Sequence, residues 1–392
     1  MDTVGTPRPP PVAAFAPTRA EALRRVAAID AAAYARTRNR LDGAVTRLSP
    51  YLTHGVVTVP EVIAALAGRG VTARDKIVFE LAWREYWHHV WRHLGDGIFS
   101  STRELLPPTH YLESLPTDVI EARSGVPAID AAVQALYRDG YVHNHARMWL
   151  ASYLVHLRKA HWQAGAPWLY SHLLDGDLAS NALSWQWVAG TFSAKPYLFN
   201  HDNVARHAPS LARAGTVLDR SYADLERMAL SGDAVDAEPD APARGTPAPQ
   251  VVFDVPARPA AWPSVASRRV ALVHPWMLGE RPAADVVIGV WHRPFHARFG
   301  WSRARWDFTR ALMAPLVDGV FVGDLHALAD LLSDAREIRS TATLNPGYRE
   351  ALESLCTRLD AAPRHFPDPP RLQRSFSQFW TSLGYGRFPP TT

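Results

Sequence analysis

Apolar and polar positions change their period once along this chain. Up to about residue 230 they recur at intervals of three and four, which predicts helices. Ala22, Leu23, Val26, Ile29 and Ala33 form one such stripe between Arg19 and about Arg38. Pro60 opens a second helix at its first turn, where the missing amide hydrogen costs little. Lys76 to Leu94 reads as a long helix, Pro127 to Arg138 as a short one stopped by Asp139-Gly140, and a third runs from Val142 to His156. Beyond about residue 262 the pattern turns to short unbroken apolar runs: Val270–Val273, Val286–Val290 and Val320–Val322. They alternate with helical stretches at 301–316 and 325–332, which predicts a parallel sheet of α/β type. No GxGxxG follows any of these strands, so the dinucleotide fingerprint is missing. Residues 235–262, rich in Ala, Pro and Asp, read as a linker with one short strand at Val251-Val252-Phe253. The Pro-rich residues 1–18 read as a disordered leader. The expected units are therefore a helical domain over 19–234 and an α/β domain over 263–392.

Within the helical half one stretch, Leu173 to Gly190 (LLDGDLASNALSWQWVAG), carries more polar and aromatic chemistry than an amphipathic helix needs. Asp175 and Asp177 predict a turn and an N-cap, because a short carboxylate accepts the free amide hydrogens of the next helix. On that helix Asn181 and Trp185 share a face, while Trp187 points about 200° away from Trp185. Taken alone, this is a capped helix burying two tryptophans. On the Lys76–Leu94 helix Glu80, Trp83, Arg84 and Trp87 stand at i, i+3, i+4 and i+7, one continuous face. A reading without a ligand is an intrahelical Glu80–Arg84 ion pair worth about 0.3–0.5 kcal/mol. His89 and His93 have zinc spacing, but no Glu stands between them and no third ligand is evident, so no metal is assigned. Asn144, Arg147 and Met148 share another face. Thr46-Arg47-Leu48-Ser49, after a turn at Gly43, suits an anion cradle of backbone amides.

Composition narrows the classes. The 392 residues, 47% hydrophobic and 20% charged, are those of a globular protein with a sizeable core. Net charge is +4, from 42 Lys plus Arg against 38 Asp plus Glu, and nearly all the base is Arg. Arg presents a planar fork to phosphate oxygens, so a polyanionic cofactor or nucleic acid is a permitted partner. The single Cys356 excludes a disulfide framework and a four-thiolate cluster, and makes the cytoplasm the expected location. No apolar run is long enough to span a membrane. The anomaly is 14 Trp, most of them before residue 200 and often beside Arg, His or Asp.

RLSPYL, ELAWREYW, VHNHARM and LLDGDLASNALSWQWVAG resemble, in the same order and nearly the same spacing, the helical FAD-binding domain of DNA photolyases and cryptochromes. The resemblance covers about 19–206. It implies that Tyr34, Thr46, Arg47, Leu48, Ser49, Arg84, Asn144, Arg147, Asp175, Asp177 and Asn181 surround a U-shaped FAD. It also implies that Glu80, Trp83, Asn144, Met148 and Trp187 form a cavity for a cyclobutane pyrimidine dimer flipped out of DNA. Excited reduced flavin would then split the dimer by electron transfer, with Glu80 and Asn181 assisting. Trp185 and Trp162 match two members of the tryptophan chain that photoreduces flavin; the third is not found, and Thr109, His110 and Tyr111 stand in its place. Three departures bear on this reading: Val45 replaces a hydroxyl residue, His145 replaces an Arg near DNA phosphate, and the loop after Ala189 is short. Damaged DNA is the implied partner of a monomer that needs no membrane. The α/β region resembles an antenna domain placed after the FAD domain instead of before it. A folate or deazaflavin pigment is conceivable there, with no ligand residue to transfer; the other reading is a domain that only braces its neighbour. A blue-light photoreceptor is the alternative function.

Overall fold

The computed structural model describes residues 15–104, 110–193, 195–256 and 262–385. Its first half is helical, as the periodicity predicts. The Lys76–Leu94 helix is the longest element and buries Ile77, Phe79, Ala82, Tyr86 and Val90. The Pro127–Asp139 helix ends at Gly140, whose φ of 60° gives the left-handed cap that a side chain would oppose. Asn144–Ser152, Trp162–His172 and Leu178–Ala189 complete the inner layer, packed around Trp149, Trp162 and Trp185.

The second half holds a five-stranded parallel sheet. Its strands are β2 (Arg269–Val273), β3 (Val286–His292), β5 (Gly319–Gly323), β6 (Glu337–Thr341) and β7 (Arg358–Asp360), in the order β5-β3-β2-β6-β7. Register pairs Val270 with Val286 on one side and with Ile338 on the other. All seven residues of β3 are buried, as expected of a central parallel strand covered on both faces. A separate antiparallel pair joins β1 (Val251–Val252) to β4 (Trp301–Ser302), so the expected strand at 251–253 exists without its third residue. β4 also replaces the first turn of the helix expected from Trp301, which begins instead at Arg303 and ends at Met313.

Two expectations need correction. Residues 1–14 of the expected leader lie outside the described residues, but Phe15 is buried against Tyr51 and Tyr141, and Thr18 caps the Arg19–Ala27 helix. An aromatic side chain with a core to enter overrides the polar composition around it. The 235–262 stretch is also no free tether where it is described. The amides of Val235, Glu238 and Thr246 donate to the carbonyls of Leu157, Ser124 and Glu121. One apolar core runs from the Lys76–Leu94 helix into the sheet.

Candidate flavin site

A cavity of about 800 Å³ opens among the helices. Its walls bring together Tyr34, Thr46, Arg47, Leu48, Ser49, Arg84, Asn144, Arg147, Asp175, Asp177 and Asn181. The same cavity is lined by Glu80, Trp83, Met148, Trp185 and Trp187. Trp162, the other indole assigned to electron transfer, does not line it. It is buried behind the wall, its indole N–H donating to Ser101 Oγ at 2.9 Å.

The turn at Asp175-Gly176-Asp177 is built as a presenting device. Asp177 caps the Leu178–Ala189 helix by accepting from the Ser180 amide at 2.8 Å with Oδ1. Its Oδ2 meets His88 Nε2 at 2.8 Å and Arg84 at 3.6 Å. Burial opposes ionisation of this carboxyl, but His88 and Arg84 outweigh it and hold the group far below the usual carboxylate range. Asp175 does not cap. Its Oδ2 accepts from Arg147 at 2.7 Å, and Arg147 is steadied in turn by the Val142 carbonyl at 2.7 Å. Asn181 donates its amide N–H to the Ala166 carbonyl at 2.8 Å, which leaves the amide oxygen for the cavity.

The expected Glu80–Arg84 ion pair does not form. Glu80 pairs with Arg38 and with Lys76, each at 3.3 Å, while Arg84 turns the other way to Thr53 and Asp177. The zinc spacing is absorbed as well. His89 lies between Asp368, at 2.6 Å, and the Gln373 amide, at 2.9 Å, and no metal-binding cluster occurs among the described residues. The expected anion cradle has the right backbone. Arg47 adopts φ 49° and Leu48 φ −88°, ψ −15°, successive left- and right-handed residues of the kind that turn adjacent amides toward one anion. His145 lines the cavity with its Nδ1 on the Asn39 carbonyl at 2.9 Å, and burial lowers its pKa to about 4, so it is neutral at pH 7.

Arg38 and His88 were missed by the sequence reading. His88 stands four residues after Arg84, on the same helix face, and that spacing was the available signal. Trp185, one of the two indoles expected to carry electrons, packs against Gly165, where a Cβ would come within 2.2 Å of the indole. Beyond Trp162, His161 stands 6.1 Å away and Tyr111 a further 5.9 Å, ring centre to ring centre. Thr109 lies outside the described residues.

These residues fit FAD on their own chemistry. Asp175 Oδ1, Ser180 Oγ and Trp185 Nε1 are buried side-chain atoms of the cavity wall without a hydrogen-bond partner. Buried polar atoms are normally paired, so acceptors and donors of this kind call for a polar ligand. The guanidinium groups of Arg47, Arg84 and Arg147 supply the cationic side that a diphosphate needs. The volume lies within the range of cofactor pockets.

Residues 77–229 match the family model described as the FAD binding domain of DNA photolyase. The chain is 37% identical over 152 residues to a deoxyribodipyrimidine photo-lyase of Streptomyces griseus, covering 38% of this chain and 32% of the relative. A deoxyribodipyrimidine photo-lyase of Thermus thermophilus is 33% identical over 223 residues, covering 51% of this chain and 52% of the relative. A cryptochrome DASH of Idiomarina loihiensis is 30% identical over 218 residues, covering 53% and 47%. The chain thus spans about half or less of the length of these curated relatives. Residues 77–229 thus form a FAD-binding domain of the DNA photolyase type, and through it the chain is similar to photolyases and to a cryptochrome DASH.

Proposed function

We propose that the protein splits cyclobutane pyrimidine dimers in DNA under blue light, taking the lesion out of the helix into the cavity. The observation that carries this reading is that Glu80, Trp83, Asn144, Met148 and Trp187 line the same cavity as Asp175, Asp177 and Asn181. Lesion and cofactor would be neighbours in one chamber. Several relatives are named as deoxyribodipyrimidine photo-lyases, which supports the reading.

Bound FAD supplies, on absorbing light in its reduced form, the electron that dimer splitting requires. The chain's own groups position and discriminate. Trp83 and Trp187 offer apolar surfaces to the fused bases; stacking on an aromatic is worth about 1–3 kcal/mol per base. Glu80, held by Arg38 and Lys76, accepts hydrogen bonds from the lesion's polar edge, and Asn144 donates or accepts there. Asn181, its nitrogen committed to Ala166, offers an oxygen to a protonated atom of the cofactor ring. Trp185, Trp162 and Tyr111 form the photoreduction route, with His161 between the last two.

A photoreceptor role is the second reading, favoured by the cryptochrome DASH relative and by the neutral His145 where a DNA-facing cation was expected. The test is illumination of the reduced protein with a dimer-containing oligonucleotide. Light-dependent return of intact pyrimidines is the expected result. Photoreduction of the flavin with no repair would leave the photoreceptor.

A further inference from the structure

Arg305 belongs to the Arg303–Met313 helix of the sheet half, yet it is completely buried and serves the helical half. One terminal nitrogen donates to the Tyr170 carbonyl at 2.9 Å and the other to the Gly176 carbonyl at 2.5 Å. Its guanidinium carbon stands 4.1 Å from the ring centre of Trp301 and 4.5 Å from that of Tyr170. Gly176 is the residue between the two cavity carboxylates. A Cβ there would meet the guanidinium at 2.3 Å and the Tyr170 carbonyl at 2.7 Å, so only glycine lets the arginine reach the turn. The carbonyls before it are contacted as well: that of Leu174 by His54 Nε2 at 3.0 Å, and that of Asp175 by the Thr53 hydroxyl at 3.2 Å. His54 Nδ1 also faces the Pro275 carbonyl of the sheet half, at 2.7 Å; the neutral ring carries one N–H and so donates to one of the Leu174 and Pro275 carbonyls at a time. Apolar packing would hold two domains together without the desolvation cost of a buried cation. A cation placed under this turn therefore does something packing does not.

We propose that Arg305 is a positioning residue for the cofactor: by holding the Gly176 carbonyl it fixes the directions in which Asp175 and Asp177 face the cavity, so the sheet half sets how tightly FAD is held. The proposal rests on the reading that FAD occupies this cavity. It gives the α/β half a task in the flavin site that requires no pigment of its own.

The experiment uses full-length apoprotein titrated with FAD and followed by flavin fluorescence, with far-ultraviolet circular dichroism as the folding control. Arg305→Gln keeps donors but loses the charge and the fork, and weakens FAD binding by about tenfold or more. Arg305→Lys, which keeps the charge, falls between wild type and Arg305→Gln. Arg303→Gln, on the same helix but exposed and paired with Asp307, leaves FAD affinity unchanged. A folded Arg305→Gln protein with wild-type FAD affinity overturns the proposal. Should that variant not fold, hydrogen exchange in the wild type decides. FAD then slows amide exchange in 303–313 as well as in 175–189; slowing confined to 175–189 overturns the proposal. Wild-type protein that takes up no FAD overturns the reading of the cavity, and the proposal with it.

Discussion

The indole of Trp83 lies flat on the ring of Phe376, with ring centres 4.1 Å apart and planes 8° from parallel. One partner lines the cavity, and the other opens the Phe376–Ser382 helix at the end of the chain. The terminal segment is tied to the same long helix at further points: Glu85 accepts from the amides of His365 and Phe366, each at 2.8 Å. The cavity wall is thus braced from outside. Phe376→Ala removes a stack worth about 0.5–1.5 kcal/mol together with the burial of the ring, a loss of about 3–5 kcal/mol in all. Urea unfolding measures the loss. Binding of a dimer-containing oligonucleotide should fall more than binding of FAD; an equal fall in both would make the stack a general brace.

Trp185 sits where Gly165 leaves room for it. In Gly165→Ala the new methyl would lie 2.2 Å from Trp185 Cη2, so the indole must move. Overpacking of this kind costs about 1–3 kcal/mol. The expected result is a lower thermal midpoint and slower photoreduction of the flavin by blue light, with FAD content kept. Trp185→Phe should slow photoreduction further, because it removes the electron donor rather than displacing it. Unchanged photoreduction in Trp185→Phe would take this indole off the route.

The cavity was legible in the sequence where its signals were local. Asp177 before an apolar period announced a capped helix, and Glu80, Trp83 and Arg84 announced a functional face by their spacing. Partners were not legible, because they are set by packing between distant segments. Glu80 and Arg84 looked like a helical ion pair, yet Arg84 finds Asp177 and Glu80 finds Arg38. Arg305 reads as the surface arginine of an amphipathic helix; nothing adjacent in sequence announces that Gly176 makes room for it. The strands β6 and β7 escaped for a related reason. They are Glu-Ile-Arg-Ser-Thr and Arg-Leu-Asp, mostly half-buried toward the edge of the sheet, so they lack the unbroken apolar run that marked β3.

Acid should destabilise the fold well above the carboxylate range. Burial lowers the pKa of His143, His145, His156, His172 and His274 to about 4, and that of His54 to about 3. In the unfolded chain each titrates near 6.5. Between these values the unfolded state binds more protons, so stability is full above about pH 6.5 and is lost as pH falls toward 4. Each such histidine contributes up to about 1.4 kcal/mol per pH unit in that window. Thermal midpoints measured from pH 7.5 to pH 4.5 should be flat at first and then fall steeply below about 6.5. A curve that stays flat to pH 5 would mean that these rings are not buried in their neutral form.

His145 also allows a test of the DNA-binding reading that does not depend on light. It lines the cavity beside His207, 4.5 Å between ring centres, and it carries no charge at pH 7. A neutral ring facing a phosphate adds nothing to counterion release, so it leaves no mark on the salt dependence of binding. In His145→Arg a permanent cation replaces it. If this edge meets a DNA phosphate, the plot of log affinity against log salt should steepen by about 0.7–0.9, the increment for one added phosphate contact. Affinity for a dimer-containing oligonucleotide should rise at low salt and converge with wild type at high salt. A slope equal to wild type would place the phosphates elsewhere and leave His145 as part of the cavity wall alone.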